Sequence, residues 1–233
     1  MSASRRPGAL SDPRHQAAAQ VDPPRARTAV TVSADGVVTG NTYDKYGSTN
    51  PLVRRLMDGF ERQLDELLLR ANPGSLLDVG CGEGVLVHRW AQMLPDRRMV
   101  GVDLEEPSLQ AGWAAREAPN LEYRICRAES LPFVDDEFQL ASAIEVLEHL
   151  PDPRATLAEM ARCARSHLLV SVPREPLWRG LNLARGSYWR ALGNTPGHLN
   201  HWSKGGIARL LAGYGEVIEL RAPLPWTIVL VAL

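Results

Sequence analysis

The residues best suited to chemistry in this sequence are glycines interleaved with carboxylates, in the stretch Asp78-Val79-Gly80-Cys81-Gly82-Glu83-Gly84. A glycine turn between a strand and a helix lets a ligand approach the backbone, and the helix N-terminus presents N–H groups to it. Dinucleotide-binding turns use G-x-G-x-x-G and hold a pyrophosphate, but the spacing here is G-x-G-x-G. Asp78 and Glu83 would repel a pyrophosphate by about 1 kcal/mol per charge pair in water and about 4 kcal/mol where partly buried. The stretch therefore favours a cationic ligand without phosphates.

A second acidic position supports an adenosyl ligand. Asp103 ends the run Val100-Gly101-Val102-Asp103, 23 positions after Gly80, about where a carboxylate accepts hydrogen bonds from a ribose diol. Alone, this position does not separate a nicotinamide cofactor from S-adenosylmethionine, and Asp103 could instead cap the following helix. Combined with the carboxylates around the glycine turn, it indicates S-adenosylmethionine, which carries a sulfonium, an ammonium and no phosphate.

Four side chains in the second half of the chain are candidate catalytic bases: Glu145, His149, His198 and His201. Glu145 and His149 are four positions apart and could reach one site. His149 could instead bind backbone groups beside Pro151-Asp152-Pro153, and His198 and His201 could instead hold a loop in place. Because no carboxylate lies at ligand spacing beside these histidines, we expect no metal site.

Short apolar runs alternate with amphipathic stretches from residue 50 onward. Asn50 can cap a helix that begins at Pro51 and ends at Asn72-Pro73-Gly74. The alternation predicts an α/β fold with a mostly parallel sheet and helices on both faces. The last two strands are joined only by 221–224, too short for a crossover, so we expect them to be antiparallel. The predicted strands are 75–79, 98–103, 121–126, 138–144, 167–172, 216–221 and 225–232, and the remaining predicted helices are 83–94, 107–117, 153–164 and 204–213.

Residues 173–202 interrupt this alternation, and we interpret them as a lid over the substrate. If 176–192 is a helix, leucines 177, 181 and 192 share one face with Ala184 and Tyr188, and two tryptophans border it. Such a basic amphipathic helix can line a pocket for a partly apolar, anionic substrate or rest on a membrane surface. It can equally be a lid with ordinary solvated arginines, since 24 of the 26 basic residues are arginine. The predicted substrate contacts are Trp178, Tyr188, Trp189, His198, His201 and Trp202.

The overall composition excludes several classes of protein. The chain has 233 residues, 45% of them hydrophobic, which suits one domain with a buried core. A net charge of −1 argues against nucleic acid binding, and no apolar run approaches the ~20 residues that span a bilayer. Three cysteines without CxxC spacing favour neither disulfides nor zinc and are typical of the cytoplasm. Residues 1–40 are predicted to be a disordered or weakly structured tail ahead of a folded domain at 41–233.

Four motifs occur in register: LLDVGCGEG (76–84), VGVD (100–103), AESLPF (128–133) and IEVLEHLPDP (144–153). In order and spacing they resemble the class I S-adenosylmethionine-dependent methyltransferases, within the broad group that includes the ubiquinone and menaquinone biosynthesis enzymes. The resemblance implies a Rossmann-like seven-stranded sheet in the order 3-2-1-4-5-7-6 with strand 7 antiparallel. It also implies methyl transfer to a small-molecule acceptor such as a lipid, a quinone-like compound, a sugar-linked compound or a secondary metabolite.

The same resemblance assigns roles to individual positions. It places the turn 78–84 around the methionine part of the cofactor, with Cys81 a small space-filler, and Asp103 at the ribose. It places Glu145 near the sulfonium and the substrate entrance, and it lets Tyr46 or Tyr43 close over the cofactor. The full set of implied cofactor contacts is Tyr46, Asp78, Gly80, Cys81, Gly82, Gly84, Asp103, Leu104, Arg127, Ala128, Glu129, Ile144 and Glu145.

Two other functions compete with this interpretation. One is a methyltransferase-fold protein that binds the cofactor without turnover, and the other is a nicotinamide oxidoreductase, which the glycine spacing disfavours. A nucleic acid methyltransferase is disfavoured because Ile144-Glu145-Val146-Leu147 stands where an Asn-Pro-Pro-Tyr motif would lie. A protein acceptor, methylation at oxygen, nitrogen or carbon, and any oligomeric state stay open.

Overall fold

A computed structural model of the chain describes residues 31–32, 38–39, 50–184, 186 and 191–233. The first two ranges are two-residue strands, Thr31–Val32 and Val38–Thr39, which pair antiparallel. The rest of the predicted tail, and the predicted contacts Tyr46, Tyr188 and Trp189, lie outside the described residues.

Seven strands form the main sheet, in the order β3-β2-β1-β4-β5-β7-β6. This order confirms the predicted topology. β7 pairs antiparallel with both β5 and β6, and the other pairs are parallel, so the four residues between β6 and β7 reverse the chain as expected. The strands are β1 (Ser75–Val79), β2 (Arg98–Asp103), β3 (Leu121–Ile125), β4 (Phe138–Ile144), β5 (Ala164–Pro173), β6 (Glu216–Arg221) and β7 (Trp226–Ala232).

The described helices begin and end at the residues that favour those positions. Asn50 accepts a hydrogen bond from the Leu52 amide at the start of α1, and Asn72 ends α1 in a left-handed conformation. At the start of α6, the side chain of Ser203 accepts a hydrogen bond from the Gly206 amide. The helices are α1 (Pro51–Ala71), α2 (Val85–Met93), α3 (Pro107–Ala114), α4 (Pro153–Cys163), α5 (Leu177–Ala184) and α6 (Lys204–Leu211), with a 3-10 turn at Leu147–His149.

The core lies on both faces of the sheet. Leu76 belongs to the cluster with α1 and α2, whereas Leu77, the next residue of β1, belongs to the cluster with α4 and α6. Successive strand residues point to opposite faces, so the near-continuous apolar runs of β1, β4 and β5 are those of strands covered on both sides. This packing confirms the predicted layers and holds the carboxyl ends of β1, β2 and β4 side by side.

The predicted helix over 176–192 is wrong in length. α5 ends at Ala184, and Gly186, Leu192 and Gly193 all have left-handed backbone angles. A continuous helix cannot contain such residues, so Leu192 leaves the predicted face and is exposed. Among the described helices, none is long and apolar enough to cross a membrane.

Candidate active site

A cavity of about 610 Å³ opens at the carboxyl ends of β1, β2 and β4. Ligands bind at this edge of open α/β sheets, and sites for small molecules occupy roughly 300–1,000 Å³. We call one part of the lining the turn wall, which consists of residues within 78–83, 102–104 and 126–129. We call the other part the helix wall, which consists of residues within 50–60 of α1, 144–150, 178–184 of α5, Thr195, His198 and 225–226.

The glycine turn is stabilised by its own backbone amides. The amides of Gly80 and Cys81 both donate to the carbonyl of Val102, at 2.8 and 3.0 Å, and the Gly84 amide donates to the Cys81 carbonyl at 3.0 Å. The Gly82 amide donates to a carboxylate oxygen of Asp103 at 2.7 Å. Four of the five amides in residues 80–84 are therefore already paired inside the protein, which leaves little of the turn to cradle a pyrophosphate.

Gly84 does not line the cavity, although we predicted it as a cofactor contact. It precedes α2 with a φ of 79°, and a Cβ at this position would lie 2.4 Å from the hydroxyl of Tyr123. Both the backbone angle and the close packing require glycine. Gly84 therefore shapes the turn from behind, and Gly80 and Gly82 are the turn glycines that line the cavity.

Asp103 is fixed in a position suited to a diol. Its two carboxylate oxygens each accept one backbone hydrogen bond, from Gly82 and from Leu104, both at 2.7 Å. Burial raises the pKa of the carboxyl, and the same two hydrogen bonds oppose that rise. A carboxylate has about four acceptor sites, so Asp103 keeps acceptor capacity toward the cavity that it lines.

The electrostatics of the turn are weaker than the sequence argument assumed. Burial raises the pKa of Asp78 to about 7, although Ser142 Oγ donates to it at 2.7 Å. Glu83 lies 3.8 Å from a guanidinium nitrogen of Arg116. Burial therefore reduces the negative charge of Asp78 near neutral pH, and the charge of Glu83 is partly balanced. The paired amides of 80, 81, 82 and 84 therefore add to the obstacle that the carboxylates present to a pyrophosphate.

The other described positions with predicted cofactor contacts line the cavity. Cys81 fills space against Gly101, where an added Cβ would lie 2.9 Å from its sulfur, and burial raises the pKa of the Cys81 thiol. The thiol is thus suited to packing rather than to nucleophilic attack. The remaining lining positions from the predicted set are Leu104, Arg127, Ala128, Glu129, Ile144 and Glu145.

Glu145, the first residue after β4, is held by two elements of the sheet. Ser171 Oγ donates to one carboxylate oxygen at 3.2 Å, and Trp226 Nε1 donates to the other at 2.7 Å. Glu145 has a φ of 60°, which is uncommon for a residue with a side chain and is often found at functional sites. With this backbone conformation, the carboxylate of Glu145 lies on the helix wall of the cavity.

The fold separates the predicted histidines into two groups. His149 and His198 line the cavity with their ring centroids 5.0 Å apart, and His149 Nδ1 donates to the Gly197 carbonyl at 3.0 Å. His201 is exposed, and its Nε2 lies 2.7 Å from Asn194 Oδ1. Partial desolvation of the ring still lowers the pKa of His201. His201 and Trp202 do not line the cavity, so the structure does not bring them to the predicted substrate site.

We expected no metal site because the sequence shows no carboxylate at ligand spacing beside the histidines. The folded structure contradicts that premise. Glu148 is only 1% exposed, and one ligand atom from each of Glu148, His149 and His198 lies within 4.8 Å of the others. A carboxylate therefore does lie beside the two histidines, because the loop that carries His198 folds back onto the 3-10 turn.

The first part of the predicted lid is held by hydrogen bonds to other residues of the helix wall. Trp178 Nε1 donates to Thr195 Oγ1 at 2.9 Å, and the buried Asn182 donates to Thr195 Oγ1 at 3.1 Å and to the Gly193 carbonyl at 2.7 Å. Trp178 also lies 6.1 Å, centroid to centroid, from Trp226. The predicted contact Trp178 thus lines the cavity.

The sequence analysis missed several residues of the helix wall. We predicted the helix that begins at Pro51 but assigned none of its residues to the site, whereas apolar residues near the N-terminus of α1 line the cavity. Trp226 was read as an ordinary strand residue. The signal that could have found it is its position directly after the turn between the last two strands. The missed lining residues include Leu52, Val53, Leu56, Met57, Phe60 and Trp226.

Comparison with known proteins agrees with the location of the turn wall. Residues 77–169 match the family model Methyltransf_11, described as a methyltransferase domain. This range contains most of β1, all of β2 to β4 and the first six residues of β5.

Two curated relatives are each similar to slightly less than half of the chain. A malonyl-[acyl-carrier protein] O-methyltransferase of Hahella chejuensis is 29% identical over 114 residues, which are 47% of this chain and 41% of that protein. A demethylmenaquinone methyltransferase of Roseiflexus castenholzii is 34% identical over 111 residues, which are 46% of this chain and 47% of that protein. The chain spans less than half the length of these relatives.

A solved structure extends the likeness in fold to most of the chain. Magnesium protoporphyrin IX methyltransferase from Synechocystis PCC 6803, with bound SAH, has a TM-score of 0.58 and 18% sequence identity. The match covers 80% of this chain and 89% of that one. At this identity the likeness shows the fold alone.

Proposed function

We propose that this chain, whose residues 77–169 match a family model described as a methyltransferase domain, transfers a methyl group from S-adenosylmethionine to a small-molecule acceptor. The observation that carries the proposal is that the glycine turn and Asp103 share one cavity with Glu145 and His149. A methyl donor and its acceptor must be aligned in one enclosed space, and such positioning can supply about 7–11 kcal/mol of the barrier.

The turn wall is suited to the adenosyl cofactor. Asp103 accepts hydrogen bonds from the ribose hydroxyls, and Ala128 lies beside the adenine. The ammonium of the methionine part lies near Asp78, where it favours the ionised carboxylate. This assignment is supported by the paired amides of the glycine turn, which suit a ligand without phosphates.

The reaction is an in-line displacement. A lone pair of the acceptor attacks the methyl carbon, the carbon–sulfur bond breaks, and its electrons neutralise the sulfonium. A hydroxyl acceptor must also lose its proton. Glu145, His149 and His198 are the side chains of the helix wall that could orient the acceptor or activate it in this way.

The acceptor is proposed to be partly apolar. α1 contributes aliphatic and aromatic side chains to the helix wall, and Trp178, Leu181 and Trp226 add further apolar surface. The prediction of an anionic acceptor rested on the arginines of 173–202. Of these, Arg174 and Arg179 do not line the cavity, and Arg185 and Arg190 lie outside the described residues. We therefore propose an apolar body with one polar group at the reacting end.

Three further observations support proposals about the compartment and the partners of the protein. All three cysteines are free thiols in the described structure, which supports our placement of the protein in a reducing cytoplasm. Leu181 of α5 is exposed, so peripheral membrane contact through 176–192 stays a prediction, testable by vesicle co-sedimentation. The near-neutral net charge supports a partner that is a small molecule rather than a nucleic acid.

Two measurements test the function. Isothermal titration with S-adenosylhomocysteine, NAD and NADP should show micromolar binding of the first compound and none of the other two. Incubation with methyl-labelled S-adenosylmethionine and fractions of apolar metabolites, followed by mass spectrometry, should yield a labelled product that carries one added CH₂. Binding of NAD in place of S-adenosylhomocysteine would refute the cofactor assignment. Cofactor binding without any labelled product would favour the catalytically silent alternative.

A further inference from the structure

Three side chains with metal-ligating atoms meet at the helix wall. One ligand atom from each of Glu148, His149 and His198 lies within 4.8 Å of the other two. Both histidines line the cavity, and Glu148 lies buried against them. Two imidazoles and one carboxylate are a common protein ligand set for divalent transition cations, as in the zinc sites of several hydrolases.

This cluster is positioned by a dedicated set of hydrogen bonds. The carbonyl of Glu148 accepts from the amides of Leu199 at 2.7 Å and Asn200 at 3.1 Å. The side chain of Asn200 donates to the carbonyls of Leu147 at 3.2 Å and Leu150 at 2.7 Å. These bonds join the 3-10 turn to a loop about 50 positions away in the sequence. The loop that carries His198 is thus fixed against the residues that carry the other two groups.

The hydrogen bond of His149 selects the nitrogen that would bind a metal. A carbonyl can only accept, so His149 Nδ1 carries the proton that it donates to Gly197 at 3.0 Å. The lone pair of the neutral ring is then on Nε2. Metal-binding histidines usually donate their other ring N–H to a carbonyl or carboxylate in this way, which fixes the ring and its tautomer.

We propose that Glu148, His149 and His198 bind a divalent transition cation, Zn²⁺ or Mn²⁺, whose open positions face the cavity. Metal bonds of about 2.0–2.2 Å place neighbouring ligand atoms roughly 3.0–3.5 Å apart. Because no two of the three ligand atoms are more than 4.8 Å apart, they need to draw together by at most about 1.3–1.8 Å, which side-chain rotation can supply.

The role of the cation rests on the proposed function. An oxygen of the acceptor takes an open position, and the cation lowers the pKa of that hydroxyl, so the proton leaves to solvent. The oxygen then attacks the methyl carbon as the carbon–sulfur bond breaks, and no change of oxidation state is involved. The acceptor class is then a hydroxyl compound, and a second neighbouring oxygen would allow it to chelate.

The test measures metal binding by the full chain after treatment with a chelator. Titration with Zn²⁺ alone and with Mn²⁺ alone should show one site in the wild type. His198→Gln and Glu148→Gln should each weaken the binding at least 30-fold, whereas His88→Gln, which changes a histidine of α2 outside the cavity lining, should change it less than twofold. Binding of S-adenosylhomocysteine and the melting temperature verify that each variant is folded.

The outcomes separate this inference from the proposed function. Absence of metal binding in the wild type, or equal affinity in His198→Gln and His88→Gln, would overturn the metal site even if methyl transfer occurs. One site that is lost in His198→Gln would establish it even if no acceptor is methylated. If Glu148→Gln does not fold, the comparison of the two histidine variants still decides the question.

Discussion

Replacing Asp78 with asparagine is expected to stabilise the ligand-free protein while weakening cofactor binding. Asp78 is buried at the end of β1, and burial raises the pKa of its carboxyl from 3.8 to about 7. Ser142 Oγ donates to it at 2.7 Å, and an asparagine side-chain oxygen can accept the same hydrogen bond. The substitution therefore removes a costly charge without removing its hydrogen-bond partner.

The sign and size of the effect follow from proton linkage at Asp78. Below pH 3.8 the group is protonated in both states, so it makes no difference to stability. Between pH 3.8 and about 7 the folded protein keeps a proton that the unfolded chain has lost, so stability falls as pH rises. Above about pH 7 the loss is complete. At 1.36 kcal/mol for each pH unit, the total is about 4 kcal/mol, an upper bound for the gain in Asp78→Asn at pH 8.

Cofactor binding should show the opposite dependence. The ammonium of S-adenosylhomocysteine favours the ionised form of Asp78, so binding releases a proton while the free carboxyl is protonated. The affinity should therefore rise by up to tenfold per pH unit between pH 5 and about 7 and then level off. Asp78→Asn should lose this slope and bind at least tenfold more weakly at pH 8.

Urea unfolding and isothermal titration across pH 5–9 test both expectations for the wild type and Asp78→Asn. The control is Asp58→Asn, which changes an exposed aspartate on α1 and should alter neither profile. If Asp78→Asn is less stable than the wild type at pH 8, or keeps the pH dependence of binding, the reasoning about the buried carboxyl is wrong.

Three further substitutions test other parts of the site. Asp103→Ala should weaken binding of S-adenosylhomocysteine by ~1.5–3 kcal/mol, or about 10- to 150-fold, the scale for hydrogen bonds to a charged group; unchanged affinity in titration would contradict the ribose assignment. Gly84→Ala should lower the free energy of unfolding by at least ~2 kcal/mol because its Cβ would lie 2.4 Å from the Tyr123 hydroxyl, whereas Gly59→Ala, in open space on α1, should be neutral or stabilising. Trp226→Phe removes the 2.7 Å hydrogen bond to the glutamate after β4 and should reduce methyl transfer about tenfold while cofactor affinity stays within twofold.

The sheet and the turn wall could be predicted because their signals are local. Strand and helix alternation sets the layers, and four residues between the last two strands allow only a reversal. The position of Asp103 beside the glycine turn follows from its place at the end of the second strand. These features depend on short stretches and on rules for parallel sheets, so one sequence suffices.

Much of the helix wall could not be predicted because it depends on contacts between distant segments. Glu148 meets His198 because hydrogen bonds from Leu199 and Asn200 tie the loop to the 3-10 turn. The helix over 176–192 was overextended because periodicity continues past Ala184, whereas the left-handed turn at Gly186 ends it. Periodicity measures which face is apolar and contains no information on where the backbone turns.

The division between the two walls also corresponds to the range that the family model matches. The matched range 77–169 contains the whole turn wall and the residues after β4. The rest of the helix wall comes from α1, the segment 173–202 and the start of β7, all outside that range. A donor common to many enzymes requires one conserved geometry, whereas each acceptor requires its own apolar surface and polar groups. Exchanging α1 and 173–202 for another enzyme's segments should therefore change the acceptor and leave binding of S-adenosylhomocysteine intact, because Asp103 and the paired amides of the turn stay in place.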